Sequence, residues 1–311
     1  MGSPFRVALV FLVALIGAEL AALMVLNHGT FTYTLDDAYI HLALAEHISH
    51  GHYGINATEF SAPSSSIAWP FILAPAARFE IGLYAPLVLN IVFAVATLYV
   101  FVRITTLAVA DRVPGVIAAI SIALVLATNT VGLVFIGLEH SLQLLITAMI
   151  ALGLALESSS EAMPSWLPLA IVSGPLVRYE NAAISLVALT YLFLRGRYRM
   201  SIALGLVVAL SLGAFSLFLM SLGLDPLPTS IMAKTAAVAP NGQLGGFALH
   251  LRESVTKRSL PEIPPLSDLA EPRDQKRLGG GTQARTVPIR QADPAEAGDR
   301  VTTRRCHHTL S

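Results

Sequence analysis

Two adjacent carboxylates, Asp36 and Asp37, stand about ten residues past the end of the first long apolar run, inside TLDDAYIHLALAEHISHGHYGINATEFSAPSSS (34–66). A carboxylate in a partly desolvated loop can take the proton of an attacking hydroxyl, so the pair is a candidate general base. It could equally cap a helix and complement its dipole. Three further polar clusters interrupt the apolar sequence: Glu139 and His140 in GLEHS, Arg178, Tyr179 and Glu180 in RYEN, and Lys234 in DPLPTSIMAKT. Arg178 suits an anion, and it also suits an interfacial position or a pairing with Glu139. Histidines 47, 50 and 52 follow the aspartates. With Asp36, residues His47 and His50 form the ligand set that a divalent cation would use here; a solvated helix face is the plainer reading.

The elements that position these groups are membrane elements. Hydrophobic residues make up 54% of the 311 and charged residues 13%, and the apolar ones come in runs rather than stripes, which predicts an all-α polytopic helix bundle. Formal net charge is zero, so no global basic character points to nucleic acid. The single cysteine, Cys306, can form neither an internal disulfide nor a metal site by itself.

Phe5 to Leu26 is long enough to cross a hydrocarbon core of roughly 30 Å at about 1.5 Å per residue. Within the polar stretch a helix is predicted from Asp36 to about His50, stopped by Gly51. Its spacing puts Asp36, Tyr39, Glu46, His47 and His50 on one face and Asp37, Ile40, Leu44 and Ile48 on the next. Ile67 to Phe79, broken by Pro70 and Pro75, is expected to lie along the interface with Trp69 at the boundary. Spans follow at 84–108, 113–131 and 138–156; two short runs, 166–177 and 182–194, flank RYEN, and 201–222 is the last. The count is about seven membrane helices, two of them short.

Alternating through these spans puts Arg103, Arg112, Arg195, Arg197 and Arg199 on the side of Arg6, which the positive-inside rule assigns to the cytoplasm. Asp36, Glu139, Arg178 and Lys234 then share the outer side. Residues 1–245 form one membrane domain with an outer loop at 28–82. Residues 246–311, rich in Arg, Pro, Gly and Asp and without periodicity, read as a disordered tail. An Arg-rich tail on the outer side opposes the charge rule, and out-of-frame translation of further spans is one explanation.

LDDAYIHLALAEHISHGHYGIN, SAPSSSIAWPFILAP, GLEHSLQLL, PLVRYE and DPLPTSIMAK, in this order, resemble the motifs of bacterial C-type glycosyltransferases, the polytopic group related to protein mannosyltransferases and mycobacterial arabinofuranosyltransferases. The resemblance runs from the first helix to about Thr235. It implies a sugar donor linked to polyprenyl phosphate, a cell-envelope glycan, lipid or protein as acceptor, and a bacterial plasma membrane location with the active face outward. It also implies an acidic base in the first outer loop, a role that falls on Asp36 with Asp37 as neighbour. Phosphate leaves as a stable anion, so one carboxylate can suffice where hydrolases need two. The leaving group needs positive charge, and Arg178 and Lys234 are the candidates, supported by Glu139, His140, Tyr179, Glu180 and His47. A polytopic transporter or flippase, or a truncated and inactive relative, is the alternative.

Overall fold

The computed structural model describes residues 2–109, 113–160 and 163–232. Contacts separate residues 1–253 from 254–311, and the description below concerns the first of these units alone. Lys234, Arg112 and the 246–311 tail lie outside the described residues.

The described residues are helical and contain no strand. Helix α1 spans Ser3–Leu26 and α2 spans Asp37–Ser49; α3 spans Ala68–Ala77 and α4 Ala85–Ala108. Helices α5 (Pro114–Ala127) and α6 (Thr130–Ile136) follow, then α7 (His140–Ser160), α8 (Leu167–Val177), α9 (Ala182–Leu194) and α10 (Tyr198–Ser221). Four helices, α1, α4, α7 and α10, are long and apolar enough to cross a membrane, and α5 with α6, bent by 41°, makes a fifth if the pair is one span. The chain is by these measures a multi-pass membrane protein. Helices α8 and α9 are the two short runs foreseen on either side of RYEN.

The outward faces match a lipid solvent. In α1 and α10 the side chains of Val10, Leu210 and Leu217 are 69%, 70% and 67% exposed, an arrangement that water would penalise and hydrocarbon does not. Inside, Leu12 of α1, Leu98 and Phe101 of α4, Val125 of α5 and Phe135 of α6 form the larger core, which Leu145 and Leu152 of α7 extend. A second core joins Ile150 of α7 to Leu167 and Ile171 of α8, Leu192 of α9 and Leu204 of α10. Gly153 permits this packing, since a Cβ there would lie 2.7 Å from Leu167 Cδ1.

Helix α3 corrects one expectation. Pro70 falls in the first turn, where the missing N–H is unused anyway, and only Pro75 interrupts the ladder, so the segment is one helix. It packs on α2, and Trp69 is fully buried with Ala45, Leu73 and Ala74 rather than standing at the membrane boundary. The Trp69 N–H of the backbone receives its cap from Ser66 Oγ at 3.0 Å. Tyr53 and Leu44, packed on Phe215 and Leu219, seat this pair of helices against the end of α10.

Candidate functional site

Four segments meet at the end of the bundle where α2 begins. The α6–α7 turn comes first. Gly137 has φ +76°, and a Cβ there would meet Tyr33 Cδ1 at 2.5 Å and Ala38 Cβ at 2.8 Å. Glycine is thus required both for the left-handed turn and for the approach of this turn to α2. Thr34 N donates to Phe135 O at 3.2 Å on the same side, and Glu139 arrives beside His41.

The α8–α9 break comes second. Pro175 lacks an N–H inside α8, and the helix ends two residues later with Arg178 extended (φ −152°). Ile67 N donates to Leu176 O at 3.1 Å, which ties the loop before α3 to this break. The segment after α10 closes the set, as Thr229 donates to Ala62 O through both its N and its Oγ1, each at 2.9 Å.

Arg178 holds the polar groups together. Its Nη1 donates to Glu139 Oε1 at 2.9 Å and lies 3.3 Å from His140 Nδ1. Its other edge forks onto Glu180, Nη2 to Oε1 at 2.9 Å and Nε to Oε2 at 3.3 Å. Burial alone would lower the affinity of this guanidinium for its proton, but Glu180 and Glu139 outweigh burial and hold its pKa above the ordinary value. Glu139 is 1% exposed. Burial raises its pKa and outweighs Arg178, which acts the other way. His41, 6% exposed, is pushed down to about 4 by burial first and then by the charge of Arg178 and by His140, so it is neutral at pH 7.

These groups line a cleft of about 330 Å³ whose walls include Asp37, His41, Ser65, Glu139, His140 and Arg178, with Ile40 and Leu138 between them. Behind it the layer stays polar. Asn90 Nδ2 donates to Leu138 O at 3.0 Å and Gln143 Nε2 to Asn181 Oδ1 at 3.1 Å. Asn90 Oδ1, Asn181 Nδ2, Ser141 Oγ and Glu139 Oε2 are buried without a hydrogen-bond partner. Unpaired atoms of this kind are costly and rare; Glu139 belongs to the cleft wall, and others, among them Glu157 Oε2 and Tyr191 Oη, lie elsewhere in the bundle.

Of the two aspartates, Asp37 lines the cleft and Asp36 does not. Asp36 occupies the N-cap position of α2, exposed and without a side-chain capping bond, so capping does not account for it either. Glu139, His140 and Arg178 come together at the cleft, with Glu180 exposed on Arg178 and Tyr179 half-buried. The histidines of the loop do not join them. His47 Nδ1 bonds Gly54 O at 2.7 Å and His50 Nδ1 bonds Glu46 O at 2.9 Å, and both thereby hold local backbone. Asp36, His47 and His50 do not converge, and no group of three or more His, Cys, Asp or Glu among the described residues could hold a metal ion. His41 is the residue sequence reasoning missed. Its signal was present: it lies four residues after Asp37, hence on the same helical face.

No known protein family, curated protein or solved structure matches this chain.

Proposed function

We propose that this chain is a membrane glycosyltransferase of the C type, which moves a sugar from a polyprenyl-phosphate donor to a hydroxyl of a cell-envelope acceptor at the outer face of a bacterial plasma membrane. The observation that carries the reading is the polar cleft at one end of an apolar bundle, with the Asp37 carboxylate on the same cleft as Glu139 and Arg178. A lipid-linked donor needs both halves of such an architecture: bilayer beside the helices for the chain, and a polar recess at the surface for sugar and phosphate. A transporter would place its ionisable groups near the bilayer midplane, whereas these sit at helix ends.

The assignment of the base moves from Asp36 to Asp37, because only Asp37 faces the cleft. Asp37 accepts the proton of the acceptor hydroxyl as its oxygen attacks the anomeric carbon; the bond to phosphate breaks on the opposite side, and the anomeric configuration inverts. No general acid is required for a phosphate leaving group.

The role of Arg178 also narrows. Bridging Glu139 and Glu180, its single positive charge meets two carboxylates, so the trio is net negative when both are ionised. Arg178 also lines the cleft, where its guanidinium can face a phosphate oxygen. Lys234 is the second cation of the proposal. Transfer from radiolabelled polyprenyl-phosphate sugars by membranes containing the full chain tests the reading, with Asp37→Asn as control. Transfer lost in the variant supports it; transfer unchanged in the variant refutes Asp37 as base.

A further inference from the structure

Two hydrogen-bonding atoms, His41 Nε2 and Glu139 Oε2, approach each other at the cleft wall without bonding. Ser64 Oγ donates its one proton to Ser66 O at 2.7 Å and accepts from Ser66 N at 3.0 Å. Toward His41 Nδ1, 3.4 Å away, it can therefore only accept. Nδ1 carries the imidazole proton, and Nε2 is bare. The bare Nε2 lies 4.0 Å from Glu139 Oε2, the oxygen that Arg178 does not use and that has no hydrogen-bond partner. Four ångströms is too long for a direct hydrogen bond, and an oxygen set to one side of the pair, about 2.8 Å from each atom, bonds to both.

We propose that the gap between His41 Nε2 and Glu139 Oε2 is the seat of one hydroxyl of the sugar being transferred, and that this pair sets which sugar the protein accepts. This rests on the glycosyl-transfer reading and deepens it. With Glu139 protonated, the hydroxyl accepts from Oε2 and donates to Nε2; with Glu139 ionised, it donates to one atom while the neighbouring hydroxyl of a vicinal diol donates to the other. Either way the seat disfavours a sugar with hydrogen in place of that hydroxyl, because Glu139 Oε2, buried and without another partner, is then left unpaired. The seat also lies one helical turn from Asp37, so a sugar held there has its reacting centre within reach of the base.

The test is a series of polyprenyl-phosphate sugars, each lacking one hydroxyl, turned over by the intact protein. One position should cost about 10- to 100-fold in kcat/KM while the others cost little. In His41→Asn, which keeps a donor for Ser64 and removes Nε2, the penalty at that position should shrink to within about threefold, with KM for the full sugar raised more than kcat is lowered. A purely structural role for His41 would reduce all donors alike and leave the ratio unchanged, which would overturn the proposal. So would a wild-type series with no sensitive position, the mark of a gap that holds only water, and that arm needs no variant to fold. Should no donor be turned over, saturation-transfer NMR with methyl glycosides and their deoxy forms separates the two readings. Binding lost with one hydroxyl and lost in His41→Asn keeps the seat and discards the transferase; no binding discards the seat.

Discussion

The two ends of the bundle each bury a glutamate against arginine, and they are not alike. Glu157, 2% exposed, has a guanidinium at both oxygens: Arg197 Nε lies 2.9 Å from Oε1 and Arg195 Nε 3.5 Å from Oε2. Both arginines belong to the α9–α10 turn, so the carboxylate clamps that turn to the end of α7. Glu139, 1% exposed, has Arg178 on one oxygen and only the neutral His41 near the other, and it lines the cleft with Asp37. The same residue types thus put a cation near both carboxylate oxygens at one end and near only one at the other. Each glutamate keeps one oxygen without a hydrogen bond, Glu157 Oε2 within 3.5 Å of a second guanidinium and Glu139 Oε2 beside a neutral imidazole at a cleft, so the two ends differ in charge pairing rather than in hydrogen bonding.

The largest expected effect separates the ends at once. Arg178→Ala removes the only full charge partner of Glu139 among the described residues and should destabilise by about 3–5 kcal/mol, the usual cost of breaking a buried pair, and abolish transfer. Arg195→Ala, with Arg197 still on Glu157, should cost only about 1 kcal/mol, because its guanidinium contact is the longer one and its side chain is 40% exposed. Thermal unfolding in one detergent reads both, and equal losses would break the comparison.

Next is Gly137→Val. The added side chain collides with Tyr33 and Ala38 at a left-handed φ, so roughly 2 kcal/mol or more should be lost, and α2 should be pushed off the cleft. The check is transfer that falls further than in Gly115→Val, where nothing lies within 4 Å.

Acid should loosen the cleft end through His41. Its pKa is depressed to about 4 in the folded protein, below the unfolded value of about 6.5, so its contribution is complete above about pH 6.5 and is lost as pH falls toward 4. The full shift corresponds to about 3 kcal/mol, an upper figure. Unfolding followed from pH 7.5 to 4 should therefore show a falling limb that His41→Asn flattens. The smallest effect belongs to the clamp. Glu157→Gln should leave transfer unchanged and lower the melting temperature modestly.

Much of this arrangement was legible in the sequence. Helix α4 begins within one residue of the expected start and ends where it was placed, and Gly51 does stop α2, with φ +81°. The gathering of GLEHS, RYEN and the 34–66 stretch at one end followed from counting spans, since alternation leaves few alternatives. What the sequence withheld was rotation. Which side of α2 faces the cleft depends on how Ala38, Leu44 and Ala45 seat against their neighbours, and that phase decided between Asp37 and Asp36. Trp69 was misplaced for the same reason: an aromatic in a short apolar segment fits a boundary or a core, and only the packing of α3 on α2 chooses. The bend between α5 and α6 was not foreseen, although Thr128, Asn129 and Thr130 interrupt the apolar run there and Asn129 takes φ +49°.

The most direct test of the account sets the two aspartates against each other. Asp36→Asn and Asp37→Asn, in the intact chain, are compared for transfer from a polyprenyl-phosphate sugar at matched protein levels. The account predicts that Asp37→Asn loses about 100-fold or more, the usual contribution of a general base, while Asp36→Asn stays within about threefold of the unaltered protein. Loss confined to Asp36→Asn would contradict it.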